Sequence, residues 1–312
     1  MSRVSDGTIV ITGPTGGIGK ELVLQLANRP QNERPDLLLV GRAGATLEEI
    51  TKLASNAGAT AFGIPCDLSV LADVRNASKT IKDFVNAGKV RSLRAIVANA
   101  GLMSLDTRKA SADGYELTFA VNYLAHALLI TDLRDTIVAP GRIVLVGSNT
   151  YWQNTVRKIL HVPPSSWIDP LEIAKPAPAS AKPTIESSGV AYSNSKLAIL
   201  YYAHELQRHV KDGLNVVVFE PGFMPGSGLS RAAGPMAQRI GQMIGLIPIS
   251  PISTPEKSAP KFASVILDDK WSDGDYIVID KPTELQPFAR DRAREERLWQ
   301  ATEELLSKAH DA

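Results

Sequence analysis

Thr8-Ile9-Val10-Ile11-Thr12-Gly13-Pro14-Thr15-Gly16-Gly17-Ile18-Gly19 is the stretch on which the reading of this chain turns. Its first five residues are all β-branched, side chains that suit a pleated, buried strand. Four glycines then fall within positions 13–19, and from Lys20 the apolar residues Leu22, Val23 and Leu26 recur at helical spacing. A strand, a tight glycine turn and a helix in that order form the opening of a βαβ unit. Taken alone, a glycine-rich turn also reads as simple punctuation, so its neighbours must decide.

Working outward, the same alternation continues. Short aliphatic runs at Thr8–Thr12, 37–40, 61–66, 95–98, 142–146, 215–219 and 276–279 predict seven strands. Most are almost continuously hydrophobic, as in a sheet covered on both faces. Helical patterns fall between them at 20–28, 47–57, 71–87, 114–137 and 190–210. The expected fold is α/β, a Rossmann-like doubly wound parallel sheet with crossovers of one hand.

Two segments interrupt the rhythm. Residues 150–188 carry Pro163, Pro164, Pro170, Pro176, Pro178 and Pro183 together with Trp152 and Trp167. Residues 223–260 are rich in Gly and Pro, with an apolar stretch at 236–249. Both follow strands at their C-terminal ends, the side on which open α/β sheets bind ligands. They are read as pocket-forming insertions in a single domain spanning 1–312. The tail, 288–308, mixes charges with Leu298, Trp299 and Leu305 and predicts an amphipathic surface helix.

Composition narrows the function classes. With 34 basic and 33 acidic residues the net charge is +1, which offers no electrostatic reason for a nucleic-acid or anionic-membrane partner. One cysteine, Cys66, rules out an internal disulfide. No apolar run is long enough to span a bilayer, and the first residues lack a signal-peptide pattern. The expectation is a soluble, cytoplasmic protein with a small-molecule partner. His126, His161, His204, His209 and His310 lack metal-ligand spacing, so no metal is expected.

Glycines at 13, 17 and 19 let the backbone approach a pyrophosphate, and the helix opening at Ile18 supplies unpaired N–H groups and a positive dipole end. The second strand ends in Gly41-Arg42, with no acid to hold a ribose 2′-hydroxyl. Arg42 suits a 2′-phosphate, which favours NADP(H) over NAD(H); the alternative is a solvated surface arginine. Tyr192 and Lys196, four apart on a predicted helix, share one face. A phenol titrating near pH 10 exchanges protons poorly at neutrality, and a neighbouring ammonium favours its anion. Ser148 follows the fifth strand, as a cleft hydroxyl or an ordinary turn residue. Asn122 sits inside a helical pattern, where its amide either serves a site or satisfies local backbone.

Taken together these motifs resemble the short-chain dehydrogenase/reductase family over nearly the whole chain. The matching residues are Thr12-Gly13-x-x-x-Gly17-Ile18-Gly19, Cys66-Asp67-Leu68, Asn99-Ala100-Gly101, Asn122, Ser148, Tyr192-x-x-x-Lys196 and Pro221-Gly222. The resemblance implies strand order 3-2-1-4-5-6-7. It implies cofactor contacts from Gly13, Thr15, Gly17, Ile18, Gly19 and Arg42, and from Asp67 and Leu68 at the adenine. Asn99, Ala100 and Gly101 would lie beside the cofactor, with Asn99 bracing the sheet. Pro221 and Gly222 would pass under the carboxamide. Tyr192 would be the proton donor in reduction, and Lys196 would lower its pKa and hold the nicotinamide ribose. Ser148 would orient the carbonyl, and Asn122 would hold a water in the relay.

Gly41-Arg42 and the long gap from Ser148 to Tyr192 resemble the branch of retinol dehydrogenases and protochlorophyllide reductases. The chain departs from the family at Phe223-Met224-Pro225-Gly226-Ser227, where a threonine often stands near the carboxamide. The implied reaction is NADP(H)-dependent reduction of a ketone or aldehyde, bulky and hydrophobic in view of the apolar insertions. Its rivals are reduction of a carbon–carbon double bond and a non-catalytic NADP(H)-sensing regulator. Pairing through the helices of Asn122 and Tyr192 makes a homodimer a further expectation.

Overall fold

The computed structural model describes residues 3–154, 157, 158, 163, 165–222, 224, 253–271 and 274–308. His161, His310, Ser227 and the apolar stretch at 236–249 lie outside the described residues.

In chain order the elements are β1 (Thr8–Thr12), α1 (Gly17–Ala27), β2 (Asp36–Gly41), α2 (Ala45–Asn56), β3 (Ala61–Pro65), α3 (Leu71–Asn86) and β4 (Leu93–Ala98). Then come α4 (Leu117–Phe119), α5 (Ala125–Leu133), β5 (Gly141–Val146), α6 (Pro170–Ile173), α7 (Ile185–His209) and β6 (Leu214–Glu220). The last elements are α8 (Pro255–Leu267), β7 (Tyr276–Val278), β8 (Lys281–Pro282) and α9 (Arg292–Lys308). One sheet runs β3-β2-β1-β4-β5-β6-β7-β8, parallel except for β8.

Successive strand residues point to opposite faces, and the two cores follow from that. Val10, Leu38, Ile96, Ile143 and Val216 join a cluster with α3, α5, α7 and α9. Ile9, Leu37, Ala95, Val144 and Val217 join a second cluster with α1, α2 and α8. Covered on both faces, the central strands need no polar alternation, which is why they read as hydrophobic runs.

Four expectations are corrected. There are eight strands rather than seven: β8 is a two-residue, exposed edge strand with no hydrophobic run to announce it, and its Pro282 is tolerated at an edge. The seventh strand stops at Val278 because Ile279 turns into left-handed backbone at φ 59. The helix expected over 114–137 begins at Leu117, where the Glu116 carboxylate caps the Phe119 N–H at 2.7 Å. The second insertion ends sooner than 260: Thr254 caps α8 and Pro255 occupies its first turn, where a missing N–H costs nothing.

The tail is an amphipathic helix at the surface, as expected, with one face docked on the domain and the other exposed. In α9, Leu298, Ala301, Thr302, Leu305 and Leu306 are buried, and so is Glu295. Glu295 accepts from His204 Nδ1 at 2.7 Å and from Arg208 at 2.5 Å, both on α7. Trp299 stacks on Tyr202 and on His209, the latter at 4.2 Å between ring centres. The mixed charges of 290–297 are thus partly consumed in docking. Among the described residues no helix is long and apolar enough to cross a membrane.

Candidate active site

β1, β4, β5 and β6 end at Thr12, Ala98, Val146 and Glu220, so the loops that follow share one edge of the sheet. The chemistry-bearing residues converge there.

Thr12 organises the first half. Its hydroxyl accepts the backbone N–H groups of Asn99 and Ala100, each at 3.0 Å. The Asn99 amide returns two bonds, to the carbonyls of Thr12 at 2.9 Å and Gly13 at 3.1 Å. Gly13 lies at φ 65, in the region side chains avoid. Gly19 is required for a different reason: a Cβ there would stand 2.1 Å from the Gly13 carbonyl oxygen and 2.6 Å from Asn99 Nδ2. Gly17, at the start of α1, faces open space instead. Backbone can therefore approach a ligand at Gly17, with Ile18 buried and Thr15 half-buried in the same turn.

Gly19→Ala should cost roughly 1–3 kcal/mol, as overpacking against backbone does. A lowered Tm, with cofactor affinity reduced at least about tenfold, is the expected result. Unchanged affinity in a titration would show that the turn opens freely.

Beside this turn lies a cavity of about 410 Å³ lined by Arg42, Ala43, Pro65, Cys66, Asp67, Asp73 and Asn76. Two of the expected cofactor residues, Arg42 and Asp67, therefore line the same cavity. Leu68 is buried and does not line it. Asp67 Oδ1 accepts from the Ser69 N–H at 2.9 Å and its hydroxyl at 2.7 Å. Burial, with Asp73 and Asp67 nearby, pushes the Cys66 thiol up to about 12, so it stays neutral.

The second half is carried by α7, whose start is fixed by a reciprocal cap between Thr184 and Ser187. Tyr192 and Lys196 meet on one face of it. Lys196 Nζ donates to the Val146 carbonyl at 2.8 Å and lies 5.6 Å from the centre of the Tyr192 ring. Burial depresses the Lys196 ammonium to about 8, while Glu220 opposes that fall. The Tyr192 phenol is pushed up by burial; Ser148 hydrogen-bonds its anion and pulls the other way, and Glu220 raises it further. Ser148 Oγ accepts from Thr150 N–H at 3.3 Å and Thr150 Oγ1 at 3.1 Å. Its lone pairs are taken, so its own hydrogen is the one left to donate.

Asn122 stands in a π turn, Ala120–Leu124, inserted between α4 and α5, a feature often found at functional sites. Its amide is engaged: Nδ2 donates to Leu102 O at 2.9 Å and Ser195 Oγ at 3.0 Å, and Oδ1 accepts Leu102 N–H at 2.8 Å. A Cβ on Gly101 would sit 3.3 Å from Asn122 Oδ1 and 3.9 Å from Lys196 Nζ, so these three are neighbours. Pro221 is tied to α8 by the Ser258 hydroxyl at 2.7 Å, and Gly222 turns at φ 83.

Two residues escaped the sequence reading. His126 is buried, with Nδ1 3.0 Å from the Asn122 carbonyl and Nε2 2.8 Å from Thr12 Oγ1. A carbonyl only accepts, so Nδ1 carries the proton and Thr12 donates to Nε2. Burial, then Lys196, pushes this imidazole down to about 4, which keeps it neutral. Its spacing of four from Asn122 was the available signal. Glu220 is the other, a lone acid ending the run Val216-Val217-Val218-Phe219. Among the described residues no group of three metal-ligating side chains occurs.

The comparisons agree with this geometry. The short chain dehydrogenase family pattern matches residues 7–157. Over the whole chain, and 81% of the relative, the sequence is 25% identical to dehydrogenase/reductase SDR family member FEY of Arabidopsis thaliana. It is 32% identical to a protein of Streptomyces sp. (strain C5) named as a daunorubicin C-13 ketoreductase, DnrU, over 69% of this chain and 65% of that one. Among solved structures it is similar in fold, with TM-score 0.61 and 19% identity over 89% of this chain and 96% of the other, to landomycin C-6 ketoreductase LanV with bound NADP and rabelomycin. Residues 7–157 match the short chain dehydrogenase family, the chain is similar to dehydrogenases and ketoreductases of that kind, and it is an oxidoreductase.

Proposed function

We propose that this oxidoreductase reduces a bulky, hydrophobic ketone or aldehyde to an alcohol with NADPH, reversibly. The observation that carries the reading is the meeting of Tyr192, Lys196 and Ser148 at the sheet edge that also holds the Gly13–Gly19 turn.

The residues present fit a dinucleotide. Open space at Gly17 admits a pyrophosphate against the N-terminus of α1, and the cavity between Arg42 and Asp67 suits an adenosine. Arg42 and the absence of an acid after β2 favour the 2′-phosphate. Gly101, Pro221 and Gly222 would border the nicotinamide end, with Lys196 reaching its ribose. Bound there, NADPH supplies the hydride that the carbonyl carbon takes. Ser148 donates its free hydrogen to the carbonyl oxygen and fixes its position. Tyr192 gives its phenolic proton to that oxygen as the C–O π electrons move onto it. Lys196 holds a positive charge beside the phenolate that results. Asn122 and His126 are tied together beside the site by the His126 Nδ1–H bond to the Asn122 carbonyl.

Support for a bulky substrate comes from the half-buried Trp152 and Trp167 in the 150–188 segment and from the ketoreductase names among the relatives. A cytoplasmic location belongs to the same proposal. A homodimer through α7 would have to use a face of that helix that α9 leaves free.

Absorbance of NADPH followed with a panel of bulky ketones tests the reaction. Tight cofactor binding with no turnover on any of them would favour the sensing regulator. Arg42→Ala should raise KM for NADPH about tenfold and leave KM for NADH little changed, the mark of a lost charge-assisted contact. Equal effects on both cofactors would remove Arg42 from the 2′-phosphate.

A further inference from the structure

Asn99-Ala100-Gly101-Leu102 follows β4 and belongs to no helix or strand, yet it joins the two halves of the site. Backbone without a ladder of its own must find partners elsewhere. Two buried side chains supply them. At one end the Thr12 hydroxyl accepts the N–H groups of Asn99 and Ala100, each at 3.0 Å. At the other, Asn122 grips Leu102 with both sides of its amide, at 2.8 Å through Oδ1 and 2.9 Å through Nδ2. Between them Gly101 is exposed as bare backbone, and a Cβ there would lie 3.9 Å from Lys196 Nζ.

His126, from α5 and 2% exposed, connects the two holders. Its Nδ1 donates to the Asn122 carbonyl at 3.0 Å, and its Nε2 accepts from Thr12 Oγ1 at 2.8 Å. The direction follows from the donors present. Two N–H groups occupy the Thr12 lone pairs, so its hydrogen points outward, to Nε2 rather than to the Val97 carbonyl at 3.4 Å. The bonds close a ring, from Thr12 through residues 99–102 to Asn122, on to His126 and back to Thr12.

We propose that His126 is a positioning residue for the reaction, the latch of a buried clamp that fixes the Asn99–Leu102 segment against the nicotinamide end of the cofactor. The proposal rests on the function given above. Reacting groups must meet within narrow limits, and a misplacement of about 1 Å can cost roughly a hundredfold in rate. His126 transfers no proton. It acts through the backbone that Thr12 and Asn122 hold, and burial keeps its ring neutral, so the acceptor at Nε2 is retained.

His126→Leu opens both bonds. His126→Asn keeps a donor for the Asn122 carbonyl, and His126→Gln keeps an acceptor for Thr12. A ring broken at either bond is open, so the three variants should behave alike. In the cofactor-free protein, amide exchange at Asn99, Ala100 and Leu102 should quicken by about tenfold, the weight of one hydrogen bond. Under single turnover with NADPH and a ketone, the rate constant for hydride transfer should fall by at least about tenfold. That constant, unlike the amplitude, does not depend on how much of the protein is folded. A native rate constant with a reduced amplitude would make His126 a structural residue and overturn the proposal. Should the variants not fold, the native protein decides. The ¹⁵N resonances of His126 should be those of an Nδ1–H ring, and the Nε2 signal should move when NADP⁺ is added. A signal indifferent to saturating NADP⁺ would overturn the proposal as well. Faster exchange across 99–102 in the variants, in a protein whose native form reduces no ketone, would uphold the clamp and sink the reaction instead.

Discussion

Tyr192→Phe should lower kcat for carbonyl reduction by roughly 1000-fold, within the range that a positioned general acid contributes. The substitution removes one oxygen from a half-buried ring and leaves its packing alone, so Tm and NADPH affinity should stay close to native. The phenol has no understudy. Ser148 is far too weak an acid to replace it, and Lys196 is held on the Val146 carbonyl at 2.8 Å. His126 is neutral, with its single N–H committed to the Asn122 carbonyl. The residual rate should therefore lose the alkaline limb that reports the phenol, because no group with that titration remains. Stopped-flow absorbance under single turnover separates the chemical step from cofactor release. A kcat within tenfold of native would mean that the proton comes from elsewhere, and the assignment of Tyr192 would fall.

The features legible beforehand were those whose chemistry demands fixed local spacing. Tyr192 and Lys196 must be one helical turn apart to share a face, and a pyrophosphate needs bare backbone at Gly17 directly after a strand. Such constraints are written in neighbouring residues. The parallel sheet was equally visible, since strands covered on both faces must be apolar at every position.

What was missed depends on residues far apart in the chain. His126 reads as an unremarkable helix residue until Thr12, 114 positions away, is placed against its Nε2. Glu220 reads as the polar end of a strand until Tyr276, 56 positions on, donates its hydroxyl to the carboxylate. β8 has no hydrophobic signal because an exposed edge needs none. The 290–297 charges resembled a solvated face because sequence alone does not reveal that His204 and Arg208 stand opposite Glu295.

The docking of α9 leads to the second large effect. Leu298 is 1% exposed and belongs to the cluster that joins α9 to α3, α5 and α7. Leu298→Ala should cost about 2–5 kcal/mol, the range for emptying a buried leucine site, and lower Tm by roughly 3–8 °C in a chain of this size. The neighbouring Glu296 points into solvent, and Glu296→Ala should change stability by less than about 0.5 kcal/mol. The contrast separates docking from helix propensity, since both sites lie on the same helix. α9 braces α7 through Glu295 and Trp299, so the loss should also reach the site, and kcat should fall. Equal stability in the two variants would mean that α9 rests on α7 without supporting it, and the catalytic helix would then owe its position to the sheet alone.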